Sequence, residues 1–322
     1  MKKVMNQPEN IVDEMLEGIV ASAPERLRRL SGWNVLIRKD APVPGKVGLV
    51  SGGGSGHEPA HAGFVGEKLL DAAVAGEVFT SPAPDQIFEA IKAVDSGKGV
   101  LLIVKNYSGD VMNFDMAADM AEAENISVRQ VIVRDDTAIA DPEARRGVAG
   151  TIFVHKIAGA AAATGKSLEE VADISEKAAT SIRSMGVSLS PSIVPESGKP
   201  GFTLEKDEME IGTGIHGEQG MERRTLAPAD DLAEELLDYI LPELELEAED
   251  NTAVMINGLG STPLMELFVV NRKVHEILRE KNINVECTFV GEYMSSLEMA
   301  GFSITLFKLD EECRQLLLQH RT

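Results

Sequence analysis

Hydrophobic and polar positions along this chain follow two rhythms. Val12, Met15, Leu16 and Ile19 recur at helical spacing and predict an amphipathic helix over Val12–Ser22. Short apolar runs then appear at Val47–Val50, Gly99–Val104 and Val128–Val133. The first reads as a buried core strand, the second as a fully apolar strand and the third, which contains Arg129 and Gln130, as a further strand. Helical patterns lie among them, from Pro59 through His61 to Leu70, from Pro84 to Val94 and from Asn113 to Ala123. Two more helices are expected near Pro142–Thr164 and Leu168–Ser184. Alternation of strand, loop and helix predicts a parallel sheet sandwiched by helices.

Beyond Met185 the rhythm changes. Ser190–Pro200 is rich in Pro, Ser and Gly and reads as an irregular connection. Four strand-like segments follow, at Glu208–Ile211, Thr252–Ile256, Val285–Phe289 and Phe302–Lys308, with helices near Leu232–Ile240 and Leu264–Glu280. We therefore expect two α/β domains, residues 1–185 and 186–322, the second with a mixed sheet and helices. The length of 322 residues agrees with two domains at roughly 150 residues each. No internal repeat is present.

Charge and cysteine content narrow the function classes. A net charge of −21 argues against nucleic acid or an anionic membrane as partner. The acidic run Glu243–Asp250 reads as a solvated surface segment. Cys287 and Cys313 have neither metal-ligand spacing nor a disulfide framework, which fits a reducing cytoplasm. Lys2 and Lys3 are followed by polar residues, so no signal peptide is expected. No apolar run approaches the ~20 residues that span a bilayer.

The chemistry concentrates in a few loops. Ser51-Gly-Gly-Gly-Ser-Gly-His57-Glu-Pro59 follows an apolar strand directly. It reads as a glycine-rich turn that brings backbone N–H groups close to a ligand and ends on a titratable imidazole. In open α/β sheets ligands bind at the carboxyl ends of strands, where this loop belongs. Lys105-Asn-Tyr-Ser-Gly-Asp110 follows another strand of the same sheet. Its plain reading is a helix N-cap by Asp110 or Asn113. Its chemical reading pairs Asp110 with His57 as an acid/base couple that accepts a hydroxyl proton. A third loop, Gly212–Gly220, holds His216 between glycines, and neutral imidazole can add to an electrophilic carbonyl.

Other features carry plainer readings. His57-Glu-Pro-Ala-His61 matches H-E-x-x-H literally, but Pro59 interrupts the helix a zinc site needs. Gly212–Gly217 matches G-x-G-x-x-G without a suitable helix start. The glycines at Gly52 lack the Lys-Ser or Lys-Thr of a phosphate loop, so the chain shows no nucleotide site of its own. His61 reads as structural or as a neighbour of the site. His155, His275 and His320 read as surface or packing residues, and Trp33 and Tyr239 as packing. Asn257–Pro263 reads as a turn with Ser261 or Thr262 as N-cap, and Gly291–Leu306 as a hairpin or subunit contact.

Taken together, the segments Gly45-Lys-Val47, Ser51–Pro59, Phe79-Thr-Ser-Pro82, Lys105–Asp110, Arg145-Arg-Gly-Val-Ala149, Gly214-Ile-His-Gly-Glu218 and Gly301–Leu306 resemble the dihydroxyacetone-binding K subunits of bacterial dihydroxyacetone kinases. Those kinases depend on the phosphoenolpyruvate phosphotransferase system. The resemblance implies a two-domain α/β homodimer, with a fold similar to that of the DegV proteins. It implies covalent capture of dihydroxyacetone as a hemiaminal on His216. His57 and Asp110 would bind substrate hydroxyls and assist proton removal, and Gly54, Ser55, Gly56 and Lys105 would be further substrate contacts. ATP or ADP with magnesium would belong to a separate L subunit, recharged by an M subunit, with no cofactor on this chain. Gln219, Arg134-Asp-Asp-Thr137 and a shortened Ala138–Ala144 depart from the family pattern and are expected to border the L-subunit face. Two rivals follow: a K-like paralogue that senses dihydroxyacetone and coactivates a transcription factor, and a zinc hydrolase using His57 and His61.

Overall fold

The computed structural model describes residues 2–320. The chain forms two compact units. One comprises the stretch up to Val133 together with Val154–Lys177, and the other Arg134–Phe153 together with the stretch from Ala178 onward. The boundary expected at Met185 falls inside a strand of the second unit, β7 (Ile182–Ser190). Local pattern cannot reveal that 134–153 departs from its sequence neighbours, because that choice is made by long-range packing.

The first unit opens with helix α1 (Ile11–Ser22), which buries Val12 and Leu16 as its spacing requires. Its sheet contains β1 (Leu27–Arg29), β2 (Val35–Arg38), β3 (Gly48–Ser55), β4 (Ala72–Val78), β5 (Val100–Lys105) and β6 (Val128–Val133), ordered β1-β2-β4-β3-β5-β6. Strands β4, β3, β5 and β6 run parallel. Strands β2 and β1 add antiparallel at one edge, so the sheet is mixed rather than wholly parallel. These two are only four and three residues long, too short to register as periodic runs.

Helices α2 (Pro84–Val94) and α3 (Ser108–Ala123) pack Ile87, Ile91, Phe114 and Ala121 onto Val50, Leu102 and Val104. Side chains alternate across a strand, so Ser51 and Ile103 face the other way. There Ser51 lies beside His61, which in turn meets His155 of α4 (Thr151–Ala163), the helix that precedes α5 (Leu168–Thr180). Trp33 packs against the first core as expected.

Three local expectations fail here. The glycines of Ser51–Gly54 are strand, not turn, and pair in register with Val74, Ala75 and Gly76 of β4. They serve close approach: a Cβ at Gly54 would lie 2.6 Å from the Thr80 backbone nitrogen. The helix expected over 59–70 is replaced by turns and a single 3-10 turn at Ala62–Phe64. Pro59 and Gly66 interrupt it, and an isolated bridge joins Val65 to Leu70. The helix expected from Pro142 begins only at Thr151, since Arg145 and Arg146 are buried in irregular chain before it.

In the second unit, β7 joins β8 (Glu208–Ile211), β9 (Glu222–Thr225), β10 (Asn251–Gly258), β11 (Asn284–Gly291) and β12 (Ala300–Leu309), ordered β11-β10-β12-β7-β8-β9. Only β10 and β11 run parallel. Strand β12 pairs with β10 and β7, so the hairpin expected over Gly291–Leu306 does not form. Helices α6 (Ala229–Leu244) and α7 (Leu264–Glu280) bury Leu236, Ile240, Val270 and Val274 against Val187, Val254 and Ile304. Tyr239 packs against this core. Helix α7 starts after Pro263 without a side-chain cap, while Thr262 Oγ1 exchanges hydrogen bonds with the Gly301 backbone. No helix among the described residues is long and apolar enough to cross a membrane.

Candidate active site

In the first unit, Lys105 ends strand β5 and Asp110 sits in the first turn of α3. The N-cap of α3 is Tyr107, with no side-chain cap bond, so neither Asp110 nor Asn113 caps it. Asp110 instead pairs with Lys105, Nζ to Oδ2 at 3.2 Å. Both side chains are almost wholly excluded from solvent, at 4% and 0% exposure. The other oxygen, Oδ1, is buried without a hydrogen-bond partner among the described residues. Bare backbone makes this approach possible, because a Cβ on Gly53 would stand 2.2 Å from Lys105 Nζ.

Lys105 Nζ also donates to Gly52 O at 3.1 Å and lies 3.1 Å from His61 Nε2. His61 Nδ1 stands 3.1 Å from His155 Nε2, and the two rings stack. Burial, with Lys105 adding, pushes His61 well below the usual histidine range and His155 to about 3. His155 was expected at the surface or in packing. It is wholly buried and hydrogen-bonded to the polar chain beneath Asp110.

His57 follows β3 and is also fully buried, stacked on Phe79 with ring centroids 5.0 Å apart. Ser55 donates to Gly76 O at 2.7 Å. The Gly56 N–H, expected to face a ligand, meets the Glu58 carboxylate at 3.1 Å. Burial raises the pKa of Glu58. Asn113 Nδ2 donates to Pro82 O, which ties α3 to the Phe79–Pro82 segment.

In the second unit, the Gly212–Gly220 loop is pinned at both ends. Arg146 donates to Gly212 O at 2.7 Å while its Nε holds Asp136 at 2.7 Å. Glu210, nearly buried, accepts from Gly220 N at 2.7 Å. Between these anchors Glu218 folds back onto His216. One carboxylate oxygen accepts from the His216 backbone N–H at 2.9 Å, and the other lies 2.8 Å from ring Nδ1. Gly214 leaves room for it, since a Cβ there would lie 2.1 Å from Glu218 Oε2. Burial raises the Glu218 pKa, but the hydrogen bond and charge of His216 outweigh it and bring the carboxyl to about 2. An Nδ1–H directed at a carboxylate leaves the ring lone pair on Nε2, the atom suited to attack.

Glu218 and Glu58 are neighbours of the site histidines that sequence pattern does not single out. Only the short i to i+2 spacing of His216–Glu218 hinted at the first. The expectation that Arg134–Thr137 borders a partner is corrected in part. Asp135, Asp136 and Thr137 are buried and hold Val148, Gly150, Ser184 and Arg146. Arg134, with its side chain 32% exposed, and residues 140–144 retain surface.

Residues 17–322 match the Dak1 domain. The chain belongs to the Dak1 family. This Dak1 chain is 55% identical over 315 residues to the dihydroxyacetone-binding subunit of PTS-dependent dihydroxyacetone kinase 1 from Listeria innocua, covering 97% of the chain and 95% of that protein. It superposes on the dihydroxyacetone kinase of C. freundii in complex with AMP-PNP and Mg2+ with a TM-score of 0.92 at 36% identity, covering 98% of this chain and 59% of that one. A dihydroxyacetone kinase operon co-activator matches with a TM-score of 0.89 at 37% identity over 94% of both chains. A DegV family protein from Thermus thermophilus, at 15% identity and TM-score 0.50 over 82% of this chain, shares the fold alone.

In this Dak1 chain the H-E-x-x-H match at His57–His61 is not helical, and the Lys105 ammonium faces His61 Nε2 at 3.1 Å. A cation at that ring nitrogen competes with any metal for its lone pair. Among the described residues no three His, Cys, Asp or Glu side chains form a metal-binding group.

Proposed function

We propose that this chain is the dihydroxyacetone-binding subunit of a phosphoenolpyruvate-dependent dihydroxyacetone kinase. The single observation that carries the reading is the Glu218 carboxylate on His216 Nδ1. It directs the Nε2 lone pair outward as a nucleophile for a ketone carbon. The Nε2–C bond forms as the carbonyl π pair moves to oxygen, which takes up a proton. Positive charge that develops on the ring is met by the Glu218 carboxylate, which stays ionised; the Nδ1 proton is returned to solvent in exchange for the one taken up by oxygen, leaving a neutral hemiaminal. Selectivity then rests on carbonyl chemistry, so glycerol, which has no carbonyl, is not captured.

Asp110 Oδ1 would accept the proton of the terminal hydroxyl as that oxygen bonds to the γ-phosphorus of ATP and the bond from that phosphorus to the β-phosphate oxygen breaks, releasing ADP. His57 binds a substrate hydroxyl and Gly54, Ser55 and Gly56 line its site, while Lys105, expected among the substrate contacts, spends its ammonium on Gly52 O, Asp110 and His61 and acts through Asp110. The nucleotide and magnesium are held by a partner L subunit. The product is dihydroxyacetone phosphate. The identity to the Listeria subunit along nearly its whole length supports this assignment.

The test mixes this chain with its L and M subunits, the general phosphotransferase proteins, phosphoenolpyruvate and dihydroxyacetone, and follows pyruvate release. We expect dihydroxyacetone-dependent turnover that His216→Ala abolishes. A second reading, a dihydroxyacetone-sensing coactivator, is favoured by the similarity to the operon co-activator. Capture without turnover, together with ligand-dependent binding of a transcription factor, would establish it in place of the kinase. The buried Lys105–Asp110 pair favours the kinase, since a sensor has no use for a base.

A further inference from the structure

The scheme above leaves unused the buried polar chain behind Asp110. Lys105 has no exposed surface. Its ammonium carries three protons, and three acceptors surround it: Gly52 O, Asp110 Oδ2 and His61 Nε2, at 3.1, 3.2 and 3.1 Å. A buried donor left unsatisfied costs about 1–3 kcal/mol, more when charged. The third proton therefore goes to His61 Nε2, which must carry a lone pair.

That assignment sets the rest. With Nε2 accepting, the proton of neutral His61 sits on Nδ1. It points to His155 Nε2 at 3.1 Å, with Ser51 Oγ at 3.3 Å. Ser51 spends its own proton on Ile103 O at 2.7 Å. His155 Nε2 must then be an acceptor as well. With Lys105 charged, one polarity satisfies these contacts: Lys105 to His61, and His61 to His155.

We propose that His61 and His155, both held as Nδ1–H tautomers, are positioning residues that fix the Lys105 ammonium on Asp110 Oδ2 and so reserve Oδ1 as the proton acceptor. The inference rests on Asp110 being the base of the proposed kinase. Neither histidine touches the reacting atoms. They act by consuming the third ammonium proton, which would otherwise pull Lys105 off Asp110. Low-pKa neutral rings suit this task, because a protonated His61 would face the ammonium as a like charge.

Two measurements test it. Long-range proton–nitrogen NMR of the histidine-labelled full chain at neutral pH should show protonated Nδ1 and unprotonated Nε2 for both rings. A His61 ring protonated on Nε2 overturns the inference, whatever the activity. In the coupled assay, His61→Leu removes the acceptor, whereas His61→Gln can restore it through the amide oxygen. We expect His61→Leu to lose roughly 10- to 100-fold in kcat, as misplacement of a reacting group does. Its KM for dihydroxyacetone should hold within about twofold. His61→Gln should recover most of kcat. Equal losses in the two variants, or a KM rise that explains the loss, would mean His61 is packing alone. Should the wild-type chain show no turnover, the kinase reading falls while the ring tautomers still decide this inference.

Discussion

Glu218 grips His216 twice, with one carboxylate oxygen on the backbone N–H at 2.9 Å and the other 2.8 Å from ring Nδ1. The pair is local in sequence yet depends on remote anchors, since Arg146 and Glu210 hold the two ends of the loop. Fixing the tautomer of a nucleophilic imidazole by a carboxylate is the same device that orients the histidine of a serine-protease triad.

Glu218→Gln tests this directly. The amide can donate its NH2 to Nδ1, which moves the ring proton to Nε2 and removes the nucleophilic lone pair. Capture of dihydroxyacetone should slow about 100-fold or more, by analogy with tautomer reversal in a triad. The ketone carbon of 13C-labelled dihydroxyacetone reports capture by moving from the carbonyl to the tetrahedral region of the NMR spectrum. Unchanged capture would show that Glu218 only braces the loop.

The glycine strand makes a stability prediction. A Cβ at Gly52 would stand 2.5 Å from Val74 O, and one at Gly54 2.6 Å from Thr80 N. Both obstacles are backbone. Gly52→Ala and Gly54→Ala should each lose ~1–3 kcal/mol through overpacking, read as a lower urea midpoint. Gly66→Ala, with nothing within 4 Å, should lie within about 0.5 kcal/mol of wild type.

His155 predicts part of the acid sensitivity. Its value falls from 6.5 to about 3 on burial, so the unfolded chain binds the proton more readily. The stability this contributes is present above pH 6.5 and drains away as pH falls towards 3. His155→Phe should flatten the fall in urea-unfolding free energy across that window. An equally steep fall in the variant would refute the assignment.

Asp136 works in the opposite direction. Burial outweighs its Arg146 partner and raises the carboxyl from 3.8 to about 6. The folded state therefore holds the proton more tightly. Its contribution is present below pH 3.8 and lost as pH rises through 6. Asp135, also raised by burial, adds in the same sense. Asp136→Asn should reduce the decline in stability between pH 4 and 6, measured by urea unfolding at several pH values. No change in slope would place the titration elsewhere.

Much of this protein was legible in its sequence. Helical spacing gave α1, α2 and α7, an unbroken apolar run gave β5, and an apolar run interrupted by Arg129 and Gln130 gave β6, because burial of one face or two imprints a period on the residues themselves. The loops bearing His57, Asp110 and His216 stood out because glycine beside a titratable group has few packing explanations. What only the tertiary structure decided was which atoms those loops meet. Whether Gly52–Gly54 turn or extend depends on β4 and on the Phe79–Thr80 backbone lying against them. Assignment of 134–153 to the second unit depends on Asp135 finding Ser184 and Arg146 finding the Gly212 carbonyl. The His155–His61–Lys105 chain joins residues up to 94 positions apart, which no local period records. Hydrogen bonds between distant residues leave no repeat in the sequence, so the elements could be read there, while the polarity of the site could not.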